Sequence, residues 1–242
     1  MLNKNRILSI ILARKNSKGL PGKNIKNLNG KPLLAWPIIA SVKSKYIDTT
    51  ILSTDCNNYA DIGKSYGALI PFIRPNELAS DISPSSDSII HAINFFNTTN
   101  DIYDYVVLLE PTSPLTQSSD IDKALEKLLN NKRQYKSLVS MSEVISKHPS
   151  YCFMIDDNMK VKPFIDNKKS QRRQDINKLF HCDGSLYISE INHFIKNETF
   201  YHENTMAYIM PSWKSFEVDT DLDFFLINQL MKQYKKKEYE EN

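Results

Sequence analysis

Ile7-Leu8-Ser9-Ile10-Ile11-Leu12-Ala13 runs without a break into Arg14-Lys15-Asn16-Ser17-Lys18-Gly19-Leu20-Pro21-Gly22-Lys23-Asn24. The first half is a short, almost continuous apolar run rich in isoleucine, which suits a strand buried on both faces of a parallel sheet. It is too short to span a bilayer. The second half gathers Arg14, Lys15, Lys18 and Lys23 with Gly19 and Gly22 at the carboxyl end of that strand. There, backbone N–H groups and side-chain cations can converge on phosphates, and a triphosphate suits the charge. The loop is neither a G-x-x-x-x-G-K-[ST] phosphate loop nor a G-x-G-x-x-G dinucleotide turn, and a purely structural basic loop reads the same way.

Working outward, Thr50-Ile51-Leu52-Ser53, Tyr105-Val106-Val107-Leu108-Leu109 and Ser137-Leu138-Val139-Ser140-Met141 repeat the strand pattern. Helices are expected between them. Ile121, Ala124, Leu125, Leu128 and Leu129 share one face after Ser118 and Ser119 as N-caps. Ser83-Pro84 opens another helix, with Ile89, Ile93 and Phe96 on its buried side. Pro37 delays or kinks a helix that would otherwise start near Pro32, and Thr54-Asp55 reads as a helix cap. Strands alternating with helices predict an α/β fold: a Rossmann-like, mostly parallel sheet flanked by helices, with its ligand site beyond the carboxyl ends of the strands. Residues 1–242 are expected to form a single domain. Residues 147–187 lack periodicity and carry many charges, and are expected to form an arm that packs on a second subunit; a long surface loop is the rival reading. The chain then returns through Ser185–Ser189 and Met206–Met210 and closes with a helix from about Asp219.

Composition narrows the class. Hydrophobic residues make up 41% and charged residues 24%, as in an ordinary soluble globular protein. With 31 basic against 28 acidic residues, the net charge of +3 is too slight to argue for nucleic acid or a membrane as partner. Cys56, Cys152 and Cys182 are odd in number and far apart, which supports neither a disulfide framework nor a zinc site. A cytoplasmic location without signal peptide or membrane span is the expectation.

The blocks Leu12–Asn24, Leu28-Asn29-Gly30-Lys31-Pro32-Leu33, Ser53-Thr54-Asp55, Arg74-Pro75-Asn76-Glu77-Leu78-Ala79-Ser80-Asp81, Pro111-Thr112-Ser113-Pro114-Leu115 and Glu217-Val218-Asp219-Thr220-Asp221-Leu222-Asp223 occur in the order and spacing of one known family. In these the chain resembles the acylneuraminate cytidylyltransferases, or CMP-sialic acid synthetases, over nearly its whole length. The resemblance implies transfer of CMP from CTP to a sialic-acid-like nine-carbon keto acid sugar, a requirement for Mg2+, and a homodimer in which an arm reaches the partner's site. Carried over by position, Arg14, Lys18 and Lys23 hold the triphosphate and, with Asp219, are the catalytic set. Asn24, Arg74 and Ser85 lie around the nucleoside, and the Ser83–Ser86 run leaves the register of Ser85 open.

Glu217 and Asp219 alternate in an extended stretch, so both face one side, and such a pair suits magnesium shared with substrate phosphates. The family has Asp in place of Glu217. Asp221 and Asp223 more simply favour the positive end of the closing helix. On the acceptor side, Arg173 matches a sugar-binding arginine, while Phe200 and Tyr201 stand where aromatics shape the pocket. There Glu110 replaces a glutamine and His181 replaces a second arginine, so Glu110 is expected to read a sugar substituent away from the anomeric centre. A transferase for an eight-carbon keto acid ranks second, because its opening has Arg-Leu where this chain has Lys18-Gly19. A sugar-1-phosphate uridylyl or thymidylyl transferase lacks support in a missing G-x-G-T-R-L opening. An idle nucleotide-binding module is the alternative of another class.

Overall fold

The computed structural model describes residues 5–16, 19–145, 147–165 and 176–240, with side chains to 233. Six strands form the main sheet: β1 (Ile7–Leu12), β4 (Thr49–Ser53), β5 (Tyr105–Leu109), β6 (Ser137–Glu143), β9 (Phe180–Glu190) and β10 (Thr205–Ile209). Two short ladders stand apart, β2 (Asn27–Leu28) with β3 (Lys31–Pro32) and β7 (Phe153–Ile155) with β8 (Val161–Pro163). The sheet order is β10-β6-β9-β5-β1-β4.

Side-chain alternation along β1 shows why that first strand is apolar throughout. Ile7 and Ile11 enter one core, while Leu8 and Ile10 enter the other. Tyr105, Val107 and Leu109 of β5 join the first, and Val106 and Leu108 the second. The helices α1 (Ala35–Val42), α2 (Asn57–Ser65) and α4 (Ser118–Asn130) cover the first face. The helices α3 (Ser85–Thr98) and α5 (Ile191–Asn197) cover the second. This is the layered arrangement expected of alternating strands and helices.

The parallel pairs are β1 with β4, β1 with β5, and β6 with β10. β9 is antiparallel to both β5 and β6. The reason lies in its connection: among the described residues no α-helix lies between β6 and β9, and the intervening excursion brings the chain back from the end it left. The excursion, expected as an arm over 147–187, therefore ends at residue 179, because Phe180 to Tyr187 already belong to the sheet. Its hairpin β7–β8 exposes Phe153, Ile155 and Val161. No helix among the described residues is long and apolar enough to cross a membrane.

Two local expectations are corrected, the caps of α4 and of α2. The N-cap of α4 is Gln117, not Ser118 or Ser119, in a reciprocal capping box with Asp120. The closing helix α6 spans Asp221–Glu240; Thr220 and Asp223 exchange hydrogen bonds at its start, with Thr220 N–H donating to Asp223 Oδ2 at 2.8 Å and Asp223 N–H donating to Thr220 Oγ1 at 3.2 Å. Thr54-Asp55 does not cap α2, whose N-cap is Cys56. Pro37 falls in the first turn of α1, where its missing N–H costs nothing.

Candidate active site

The chain passes from β1 to β4 on one side and later to β5 on the other, so the connections diverge at the carboxyl ends of β1 and β5. Such a divergence is where open α/β sheets bind ligands. Two adjoining compartments open there. One, of about 440 Å³, is lined by Arg14, Gly19, Lys23, Asn24, Glu110 and Asp219 among others. The second, of about 310 Å³, is lined by Arg14, Arg74, Ser80, Asp81, Ser85 and Glu110 among others. Leu12, Arg14 and Glu110 border both.

Hydrophobic packing brings the two ends of the chain together in the first compartment. Leu20, Leu28 and Leu33 share a small core with Leu115, Val218, Ile227 and Met231. This fixes the basic loop against the acidic stretch. Lys23 Nζ donates to the Val218 carbonyl at 2.8 Å and pairs with Asp219 Oδ1 at 3.2 Å. A Cβ on Gly19 would lie 3.1 Å from the Asp219 carbonyl oxygen, so the backbones nearly touch. Asp55 accepts the Lys15 N–H at 2.8 Å, which ties the loop to the end of β4.

Arg74 dominates the second compartment. It is 4% exposed, its Nη1 donates to Ser88 Oγ at 3.1 Å, and its Nε is buried without a partner. Burial lowers its pKa from the ordinary arginine value. An enclosed guanidinium with an unmet donor marks a place for an acceptor on a ligand. Ser83 and Ser85 stand on the same wall. Asn24 does not join them: it lines the first compartment and donates from Nδ2 to the Arg14 carbonyl at 3.0 Å.

Two carboxyls sit under strain here. Burial first, then the neighbouring Glu217, pushes Glu110 up to about 7, against the opposing pull of Lys23 and Arg74. Burial, then Asp219 and Asp183, likewise pushes Glu217 up to about 7. Glu217 lies over Gly184, whose φ is +67°, and a Cβ there would come within 1.6 Å of Glu217 Oε1. Only glycine meets both demands. Gly184 belongs to a bulge in β9, where the pairing with β6 slips between Val139 and Met141. Asp183 in the same bulge is 1% exposed and accepts hydrogen bonds from Ser140 Oγ, Ser142 Oγ and the Ser185 N–H. Bulges commonly re-aim side chains beside active sites.

A carboxyl raised in the folded state contributes stability that is full below its ordinary value, 4.5 for Glu110, and is lost as pH rises through about 7. Glu110→Gln is therefore expected to stabilise the ligand-free protein by about 2 kcal/mol at pH 8 and by almost nothing near pH 4. Thermal melting at the two pH values checks this, with a gain of about 4–8 °C at the higher one. Equal shifts at both would show that Glu110 carries no such burden.

On the acceptor side the sequence expectations divide. Phe200 is 6% exposed and packs at 4.6 Å ring separation on Phe194, inside the second core and away from both compartment walls. Tyr201 is exposed, and its hydroxyl is in hydrogen-bonding contact with Cys182 and Tyr187. Tyr187, which the sequence reading passed over, is pushed up to about 12 by burial, with Glu110, Glu217 and Cys182 adding to the effect. A tyrosine between the apolar Leu186 and Ile188 of β9 was the available signal. Asp183 was missed too, although a carboxylate opposite Ser140 and Ser142 hints at a buried network. Lys18 and Arg173 lie outside the described residues.

Magnesium can be tested against the donors present. Among the described residues no group of three or more acidic, histidine or cysteine side chains forms a metal cage. Glu217 and Asp219 are close enough for one to raise the pKa of the other. Two hard-oxygen donors, with coordination left for phosphate and water, is how magnesium is usually held, so the pair fits.

A switch-point crevice with a cationic loop on one side and carboxylates on the other is the arrangement that suits a nucleotide in an α/β protein. The family model "Cytidylyltransferase" matches residues 8–241, and the chain belongs to the cytidylyltransferase family. It is 37% identical over 228 residues to the CMP-N,N'-diacetyllegionaminic acid synthase of Legionella pneumophila, covering 93% of this chain and 96% of that one. It is 34% identical to an N-acylneuraminate cytidylyltransferase of Escherichia coli, covering 91% of this chain and 51% of that longer protein. Among solved structures, CMP:2-keto-3-deoxy-manno-octonic acid synthetase complexed with CTP superposes with a TM-score of 0.69. That match covers 95% of this chain and 99% of the other at 13% identity, a likeness of fold alone.

Proposed function

We propose that this enzyme transfers CMP from CTP to the anomeric hydroxyl of a sialic-acid-like nine-carbon keto acid sugar and releases pyrophosphate. The observation that carries the reading is the contact of Lys23 with Asp219 at the mouth of the β1–β5 crevice, with Arg74 enclosed in the adjoining compartment. Relatives named for legionaminic and neuraminic acids, at 37% and 34% identity, support the nine-carbon acceptor over an eight-carbon one.

In this reading the cytidine lies toward Arg74 and Ser85, and the triphosphate extends past Arg14 toward Lys23. The sugar hydroxyl oxygen bonds to the α-phosphorus, the bond from that phosphorus to the bridging oxygen breaks, and the hydroxyl proton leaves to solvent. Positioning and charge neutralisation do most of the work in such a transfer. Arg14 and Lys23, with Lys18, orient the phosphates and neutralise the departing pyrophosphate. Asp219 with Glu217 would hold the magnesium ion, which when bound polarises phosphate oxygens as a Lewis acid. Glu110, between the two compartments, accepts hydrogen bonds from hydroxyl or amide groups of the acceptor, and Tyr187 lies near it. The exposed apolar hairpin β7–β8 pairs with a second copy of the chain, since such a surface is costly to leave in water.

The test is pyrophosphate release with CTP, Mg2+ and each of N-acetylneuraminic, legionaminic, pseudaminic and 3-deoxy-octulosonic acids. Turnover of at least one nine-carbon acid in preference to the octulosonic acid supports the reading, and preference for the eight-carbon sugar contradicts it. A Glu110→Gln enzyme with an unaltered acceptor profile would remove Glu110 from the acceptor site.

A further inference from the structure

Arg14 borders both compartments, yet its guanidinium is already engaged. Nη2 pairs with Asp81 Oδ1 at 2.8 Å, and Nη1 donates to the Ser80 carbonyl at 3.0 Å. Both acceptors belong to the short segment between the 3-10 turn Asn76–Ala79 and α3. That segment is not anchored by apolar burial, because its Ile82 is 93% exposed. A carboxylate and a carbonyl in the fork of an arginine occupy the donors that a phosphate group would use.

We propose that Asp81 is an internal anion that holds Arg14 in the nucleotide-free enzyme, yields it to the triphosphate of CTP, and takes it back as pyrophosphate leaves. This rests on the reading of the crevice as a CTP site. It adds that Asp81 tunes affinity for polyphosphate, acting through Arg14 and not on the nucleoside. Arg14 and Asp81 both line the Arg74 compartment, but cytidine carries no phosphate to compete for the guanidinium and so escapes the competition, whereas CTP and pyrophosphate meet it. The side chains of Arg14 and Asp81 are 34% and 39% exposed. Pairs this accessible to water are weak, so the competition amounts to about two- to fivefold in affinity.

The experiment is calorimetric titration of the full chain with CTP, pyrophosphate and cytidine, comparing the wild type with Asp81→Asn. The expected result is two- to fivefold tighter binding of CTP and pyrophosphate and unchanged binding of cytidine. In an Arg14→Ala background the same substitution should have no effect on pyrophosphate. Weaker or equal polyphosphate binding by Asp81→Asn overturns the proposal, as does a gain that persists without Arg14. Melting curves of each variant show whether it is folded. If the wild type binds no CTP, the nucleotide reading itself falls; if it binds CTP and Asp81→Asn matches it, the competition alone is lost.

Discussion

Replacing Asp219 with asparagine is expected to lower kcat by about a thousandfold while leaving the fold intact. Its side chain is 70% exposed and its ion-pair partner is Lys23, so little folding energy depends on it. Catalysis depends on it far more. The substitution removes a hard anionic oxygen from the pair assigned to magnesium and leaves Lys23 without its carboxylate, where single preorganised charges commonly contribute factors of a hundred to a thousand. Steady-state pyrophosphate release and a melting curve provide the two readouts. Loss of turnover with a melting temperature within about 2 °C of wild type is the expected pattern. Activity within tenfold of wild type would take Asp219 out of the catalytic set.

The second large effect concerns stability. Lys214 is 5% exposed, and its Nζ donates to Asp120 Oδ2 at 2.5 Å and to Gln117 Oε1 at 2.8 Å. The pair pins the turn Ser212–Lys214 to the start of α4, a few residues before Glu217 and Asp219. Lys214→Met leaves the Asp120 carboxylate buried without its cation, which typically costs about 3–5 kcal/mol. Removing both charges, with Asp120→Leu added, avoids the orphaned charge, although it also forfeits the capping-box bond from the Gln117 N–H. The double variant is accordingly expected to recover about half of the loss in a urea titration. A double variant less stable than Lys214→Met would show that the charge pair is not the source of the effect.

How much of this was legible in the chain depended on how local the signal was. The β1 run predicted a central strand, because burial on two faces leaves an unbroken apolar stretch, and its basic sequel lines the crevice at that strand's carboxyl end. The α3 and α4 faces followed from helical spacing. Antiparallel β9 was not legible: strand direction depends on the connection, and residues 147–179 give little periodicity to read. The bulge at Gly184 and the burial of Asp183 arise from contacts with β6 and Glu217, which lie far away in sequence. Phe200 shows the same limit, since an aromatic beside a pocket and one beneath it look alike in a sequence. Asn24 was expected with Arg74 but sits in the other compartment, held by the turn of its own loop.

The most direct measurement is a crystal structure of the protein soaked with CTP and Mg2+. The account predicts the triphosphate between Lys23 and Asp219, with cytidine beside Arg74 and Ser85. A nucleotide bound instead in the separate groove between Trp36 and Trp213, with the β1–β5 crevice empty, would contradict it.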